Sequence, residues 1–239
     1  MENSYTYKEN YKIKSTDCGS NMLLKPSSLL MIVQDLATLG AEYIGAGTDK
    51  VTGKGYIWVL AKIEVEIIKT PRYLEDVKLI TYPNKMIRFV YPRTILINDI
   101  NDNPMIKIST MWCILNYENR NLVMPDEINL HTPGDEPINK ISSIKFDKVE
   151  LLEERKVRNT DLDVNMHLNN VKYLDYIIDS FDLDFINNNE IQRFNIIFHE
   201  EVKAGETLGI YSSNDKKYFM IRRGDEKVFE CNIEFKGRL

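Results

Sequence analysis

The sequence predicts an α+β fold made of two copies of one unit, and three observations predict it. A polar run from Asn159 to Asn170 has a stripped counterpart near the amino terminus: one alignment lays Thr160-Asp161 on Thr16-Asp17 and Asn165-Met166 on Asn21-Met22. Each run precedes a segment of helical spacing. Each helix is then followed by four segments of strand character, joined by turns too short for parallel crossovers. The result is an antiparallel sheet wrapped around a helix, twice in one chain.

The elements follow in order. Tyr5 to Ser15 alternates polar with aromatic or aliphatic residues and reads as a strand, and Asp17 to Pro26 is a loop of small and polar residues. From Ser27, residues Leu29, Ile32, Val33, Leu36, Leu39, Gly40 and Tyr43 recur at spacings of three and four. Pro26 stands ahead of them and Gly45 and Gly47 after, so a long helix with one buried face is predicted. Strands are predicted over 56–68, 76–82, 87–98 and 105–117, with Pro71, Pro83-Asn84 and Asn101 to Pro104 as turns. Leu122 to Lys145, with Pro125, Pro133, Gly134 and Pro137, breaks the pattern and reads as a connection between copies.

The pattern then restarts. Val149 to Arg158 is a strand, Val171, Leu174, Ile177, Ile178 and Phe181 give the helical stripe, and strands follow over 191–202, 207–213, 218–223 and 228–235. Gly205, Asn214-Asp215 and Gly224-Asp225 separate them. The division expected is an amino-terminal unit over 1–130, a linker over 131–148 and a carboxy-terminal unit over 149–239 that carries the chemistry.

The 239 residues are 43% hydrophobic and 28% charged, enough to bury the core of one large domain or two smaller ones. A net charge of −5 with no basic stripe argues against nucleic acid or an anionic membrane as partner. Cys18, Cys113 and Cys231 are odd in number and far apart, giving neither a CxxC pair nor a disulfide framework, which fits a reducing, cytoplasmic setting. The first residues lack a basic patch followed by an apolar stretch, and nowhere do about 18 apolar residues run uninterrupted, so neither secretion nor membrane insertion is expected.

Asp163, Asn165 and His167 occupy alternate positions just before a helix expected to start near Asn170 or Val171. In an extended segment they would project to one side. A carboxylate, an amide and an imidazole beside the N–H groups of a helix start form a set able to run hydrolysis or acyl transfer. The plainer reading is that Asp and Asn before a helix form turns or caps, and Asn169 or Asn170 is expected to be one. The repeat weighs against that reading for two of the residues: the first copy has Gly19 at the place of Asp163 and Leu23 at that of His167, so the loop folds without them. His199 is read as structural or surface and His131 as solvated in the linker. With His167 they show no ligand spacing, so no metal site is expected.

The run from Asp161 to Tyr173, with its D-x-N-x-H-x-N-N core at Asp163 to Asn170, resembles the signature of the acyl-acyl-carrier-protein thioesterases of bacteria and plant plastids. In the first half Trp58-Val59, Arg72, Asp76, Thr81, Pro83, Arg88, Ser109, Trp112, Asn116, Arg120, Leu122 and Pro125 resemble that family's landmarks in order and spacing, so the resemblance covers nearly the whole chain.

The resemblance implies a tandem (double) hotdog that hydrolyses the thioester of fatty acyl-acyl carrier protein, releasing free fatty acid and ending elongation. It implies no cofactor, and acyl carrier protein bearing a fatty acyl chain as partner; a monomer and a homodimer are both compatible with it. Asp163, Asn165 and His167 carry over onto the catalytic positions, and Glu201 best matches a further acid expected on a strand. Val202 stands where the family commonly has cysteine, which removes a Cys-His-Asn scheme and leaves carboxylate chemistry.

In that scheme Asp163 acts as base toward water or as nucleophile, Asn165 and Glu201 position, and His167 moves protons. Aligning Glu206 with Asp76 sets Glu201 opposite Pro71, so the first copy lacks three of the four groups. That copy resembles the half forming the acyl pocket, with Trp58, Met22 and Met31 as candidate lining residues. Lys216, Lys217, Arg222 and Arg223 form a basic cluster that either docks an acidic carrier or is a solvated hairpin face. The competing readings are a thioesterase for coenzyme A esters, a non-catalytic acyl-thioester sensor, and a hydratase of enoyl thioesters.

Overall fold

A computed structural model describes residues 4–134, 136–138, 141–144, 146 and 148–238. The first half contains strand β1 (Tyr7–Lys12), helix α1 (Pro26–Tyr43) and strands β2 (Tyr56–Ile67), β3 (Asp76–Pro83), β4 (Tyr91–Asp99) and β5 (Pro104–Asn116). Pro26 occupies the first turn of α1, where its missing N–H has no intrahelical partner to lose. A short helix α2 (Pro125–Ile128) leads into the crossing segment. The second half holds β6 (Glu150–Lys156), α3 (Asn170–Ile178), α4 (Leu183–Asn188), β7 (Asn189–Phe198), β8 (Thr207–Ser212), β9 (Tyr218–Arg223) and β10 (Glu226–Gly237).

All ten strands join one antiparallel sheet in the order β1-β3-β4-β5-β2-β7-β10-β9-β8-β6. Within each half the sheet curls around its helix, the tandem hotdog arrangement, and one core runs through both. Leu29, Val33 and Leu36 of α1 are buried in it with Leu174 and Ile177 of α3, Ile63 of β2 and Phe194 of β7.

The halves meet where β2 pairs with β7, from Lys62 opposite Ile197 to Glu66 opposite Arg193. Glu64 is buried there, pairs with the guanidinium of Arg193 and accepts a hydrogen bond from the Ser142 N–H at 2.9 Å. Asn195, opposite Glu64, donates its amide to the Ser142 carbonyl at 3.0 Å. The crossing segment is thus pinned over the seam at Ser142.

The repeat is visible in the backbone bonds, although the tyrosines that reach the two aspartates come from different elements, β1 in the first half and α3 in the second. Asp17 Oδ2 accepts from Lys14 N at 2.8 Å and from the Tyr11 hydroxyl at 2.8 Å. Asp161 Oδ2 accepts from Arg158 N at 2.9 Å and from the Tyr176 hydroxyl at 3.2 Å. Leu24 N donates to Pro71 O at 2.9 Å, and its counterpart Leu168 N to Val202 O at 2.7 Å. Pro71 therefore matches Val202 and the alignment given by the sequence moves by one position: Glu201 stands opposite Thr70, not Pro71. Glu206, which accepts from Lys203 N, matches Glu75, which accepts from Arg72 N.

Three expectations change in detail. Strand β4 starts at Tyr91 rather than at 87, because Ile87 and Val90 hydrogen-bond to each other across a turn with Arg88 at φ 57°. Residues from Leu122 are packed rather than free: Val123 N donates to Ile114 O at 2.9 Å, and Val123, Ile128 and Leu130 bury with Tyr91, Ile114 and Ala46 in a second small core. The remaining linker positions 135, 139, 140, 145 and 147 lie outside the described residues. Helix α4 was not anticipated, since its asparagine-rich sequence lacks a helical stripe. Phe185 holds it, with ring centroids 5.0 Å from Phe181 and from Phe235. Among the described residues no helix is long and apolar enough to cross a membrane.

Asp17→Ala and Asp161→Ala each remove the acceptor for a backbone N–H and a tyrosine hydroxyl. Each is expected to lose about 1–3 kcal/mol in urea denaturation. A loss at only one of the two would contradict their equivalence.

Candidate active site

Leu162 and Leu168 form an isolated bridge that closes a tight turn. Inside it Asp163 N donates to His167 O at 2.8 Å, Met166 N to Asp163 O at 3.1 Å, and Met166 sits at φ 64°. Its twin in the first half repeats these bonds, with Met22 at φ 62°. Val164 and Met166 point to solvent at 97% and 68% exposure, while Asp163, Asn165 and His167 line one cleft. The three side chains do converge, through this turn and not through strand alternation.

The turn also changes the reading of Asp163. Its Oδ1 accepts from Asn165 N at 2.8 Å and His167 N at 3.2 Å, so the carboxylate helps build the loop. The first copy dispenses with it because Asn21 Oδ1 takes the Leu23 N–H at 3.0 Å. Asn169 is the cap of α3, accepting from Val171 N at 3.1 Å, and Asn170 is its first residue.

Glu201 lies beyond the end of β7 in a loop, not on a strand as expected. It joins the cleft through a residue of the other half. Arg120 Nε donates to Glu201 Oε2 at 2.9 Å, and a terminal nitrogen of the same guanidinium contacts Oε1. That nitrogen stands 3.5 Å from His167 Nδ1, and His167 Nε2 is 3.6 Å from Glu201 Oε2. A guanidinium can only donate, so the neutral ring that fits keeps its lone pair on Nδ1 and its proton on Nε2, facing the carboxylate.

Arg120 entered the sequence reading only as a landmark. Its partner is 81 residues away, a distance no local pattern reports. Gln34 of α1 also lines the cleft, and the one signal for it is a polar residue within an apolar stripe.

Trp58 and Trp112 form a wall shared by the cleft and by a neighbouring cavity of about 620 Å³, counted with its open mouth. Trp58 is fixed by its Nε1 donating to Ala46 O at 3.1 Å and by an edge-on contact with Tyr91 at 4.9 Å between centroids. Met22 and Met31 are a correction: both are exposed, at 52% and 44%, and neither lines cleft or cavity. The helix face turned to the cavity carries Ala37 and Ala41 instead. Tyr173 also lines the cleft, and burial drives its phenol far above the ordinary range, so it stays protonated.

The other candidates are placed as follows. His199 Nε2 is 2.7 Å from Glu230 Oε2, a buried carboxylate that also takes the Tyr218 hydroxyl at 2.7 Å. His131 is exposed beside Asp126. The basic cluster is largely engaged within the chain: Arg223 pairs with Glu206 and Glu226, Arg222 lies over Tyr211, and Lys216 donates to Ser180 O at 2.6 Å. Among the described residues no three His, Cys, Asp or Glu side chains gather as a metal site would require.

The family model for the acyl-ACP thioesterase N-terminal domain matches residues 4–130, and that for the acyl-ACP thioesterase C-terminal domain matches residues 144–237. The chain belongs to the acyl-ACP thioesterase family. Its curated relatives include oleoyl-acyl carrier protein thioesterase 2, chloroplastic, of Arabidopsis thaliana, 23% identical over 90% of this chain and 65% of that protein. Another is the chloroplastic palmitoyl-acyl carrier protein thioesterase of Cuphea hookeriana, 24% identical over 90% of this chain and 56% of that one. The chain thus spans less than two thirds of the length of these relatives.

Among solved structures, an acyl-ACP thioesterase from Bacteroides thetaiotaomicron superposes with a TM-score of 0.87 at 20% identity, covering 97% of this chain and 98% of that one. The 12:0-ACP thioesterase of Umbellularia californica superposes with a TM-score of 0.82 at 17% identity, covering 99% of each. At these identities the likeness establishes the fold.

The structural use of Asp163 can be tested by substitution. Asp163→Asn keeps an oxygen acceptor for the two N–H groups and is expected to melt close to the parent. Asp163→Ala leaves both unpaired and is expected to lose about 1–2 kcal/mol in chemical denaturation. Equal stability of the two variants would remove the carboxylate from the turn.

Proposed function

We propose that this chain hydrolyses the thioester of a fatty acyl group on acyl carrier protein, yielding a free fatty acid and the carrier thiol. The observation that carries the reading is the Arg120–Glu201–His167 arrangement, set in one cleft with Asp163 and opening along Trp58 and Trp112 toward an apolar cavity. In this reading residues 1–130 supply Arg120 and most of the chain pocket, 131–148 connect the units and add Thr132 to the pocket wall, and 149–239 supply the remaining reacting groups.

Water adds its oxygen to the thioester carbon, the carbon–sulfur bond breaks, and the departing sulfur takes a proton. Asp163 offers Oδ2, which among the described residues accepts no hydrogen bond, as the base that takes a proton from that water. In a covalent route Oδ2 instead adds to the thioester carbon, the sulfur leaves with a proton, and water then hydrolyses the acyl anhydride and regenerates the carboxylate and the proton. Asn165 orients the attacking oxygen, and His167 carries the proton to sulfur. Glu201 holds the imidazole, and Arg120 holds Glu201, so Arg120 is a positioning residue. The carbonyl oxygen is received at the start of α3, where Asn170 lines the cleft and its N–H has no backbone partner among the described residues. The free Cys18, Cys113 and Cys231 suit a reducing compartment.

Release of free thiol from acyl-carrier-protein and coenzyme A thioesters tests the reading. His167→Ala and Glu201→Gln are each expected to lower kcat by about 10²–10⁴ while the protein stays folded. Arg120→Ala should lower kcat with little change in KM, and Arg120→Lys should restore only part of it, since a lysine cannot hold Glu201 from two nitrogens. No release from any thioester would overturn the hydrolase; faster turnover of coenzyme A esters would move the carrier assignment.

A further inference from the structure

We infer that the cavity beside the cleft reads the distal part of the acyl chain through a polar subsite formed by Arg93 and Thr132, which favours a chain end bearing an oxygen over one ending in methyl. The inference rests on the hydrolase reading above, since it takes the acyl carbonyl to lie beside His167.

Arg93 projects from β4 and is 6% exposed. One terminal nitrogen donates to Thr81 Oγ1 at 3.1 Å, and among the described residues no carboxylate pairs with the guanidinium. Burial alone draws its pKa down to about 10, the signature of a cation without a counter-charge. Its place against α1 exists because residue 40 is glycine: a Cβ there would stand 2.5 Å from the Arg93 nitrogen and 2.7 Å from Thr81 Cγ2.

Thr132, on the same cavity wall, is an independent observation. Its hydroxyl is buried and has no hydrogen-bond partner among the described residues. The one carboxylate on this wall, Glu42, is already taken by the Thr48 N–H at 2.7 Å and by the Thr48 hydroxyl. A largely apolar cavity therefore presents one buried cation whose side-chain partner is a neutral hydroxyl, and one buried hydroxyl, that of Thr132, with no partner among the described residues.

A saturated chain threading past Trp58 and Trp112 would displace water from around Arg93 and return nothing to it, which is costly for a buried charge. A hydroxyl, ketone or carboxylate oxygen on the chain restores the lost hydrogen bonds, and the planar guanidinium offers several donors to it. Chains too short to reach Arg93 feel neither effect. The discrimination is thus confined to lengths that fill the cavity.

The test compares kcat/KM for acyl-pantetheine thioesters matched in length and ending in methyl, hydroxyl or carboxylate. The wild-type protein is expected to favour the oxygenated ends by about 10- to 100-fold at cavity-filling lengths, the worth of a hydrogen bond to a charged group. Arg93→Met should invert that order, and Thr132→Val should weaken it. A wild-type preference for methyl at every length, or an unchanged ratio in folded Arg93→Met, overturns the inference while leaving the hydrolase intact. Where Arg93→Met fails to fold, the wild-type ratio and Thr132→Val decide. Absence of all hydrolysis would defeat the hydrolase reading instead, and calorimetric titration with non-hydrolysable amide analogues of acyl pantetheine, ending in methyl or hydroxyl, would then settle the cavity: tighter binding of the hydroxyl form supports the subsite, and equal or weaker binding overturns it.

Discussion

The pairing of β2 with β7 sets the geometry on which the cleft depends. It is antiparallel, running from Lys62 opposite Ile197 to Glu66 opposite Arg193, and just past Phe198 the chain leaves β7 for the loop that carries Glu201. On the other side of β2, Tyr56 pairs with Asn116 of β5, and Arg120 N bonds back to Asn116 O at 3.0 Å. Three strands thus deliver an arginine from the first half to a carboxylate of the second. A shift of one residue along the seam would turn alternate side chains to the opposite face and part the pair.

What holds that register is polar. Glu64, Arg193, Asn195 and Ser142 form a hydrogen-bonded group at the seam, with Glu64 and Asn195 buried. Buried charge is weak evidence for stability, because desolvation offsets much of the attraction. Its effect is on register: any slip would leave the Glu64 carboxylate buried without Arg193. The Arg120–Glu201 pair differs, being 28% and 36% exposed, so it adds little to stability. Its consequence is geometric, fixing a carboxylate beside His167.

Much of the architecture was legible because it repeats. The helix stripe from Leu29 and the strand runs after it are local patterns, and the second copy reads the same way. The polar run showed its own exceptional members through Gly19 and Leu23. Longer-range features were not legible. Asp163, Asn165 and His167 line one cleft, but a tight turn at Met166 and not strand alternation brings them there. Glu201 was placed on a strand because nothing in Glu200-Glu201-Val202 marks the end of β7. Met22 and Met31 look like core residues by type, yet one sits at the tip of a turn and the other on the outer face of α1. Arg120 could be recognised as a landmark but not given a partner, because its position is fixed by β2, β5 and β7 together.

The two halves have diverged in complementary ways. The shift that lays Thr16 on Thr160 lays Ala37 on Phe181 and Ala41 on Phe185. In the first half the two alanines leave the cavity beside Trp58 open. In the second half Phe181, past the end of α3, and Phe185 of α4 stack at 5.0 Å and pack on Phe219 and Phe235. The proposed chemistry runs the other way, with Asp163, His167 and Glu201 facing Gly19, Leu23 and Thr70. A site needs reacting groups at one helix start and an empty channel beside the partner helix. In the proposed reaction each half supplies one of these, so neither copy alone would suffice, and the seam between β2 and β7 joins the two parts of the candidate site.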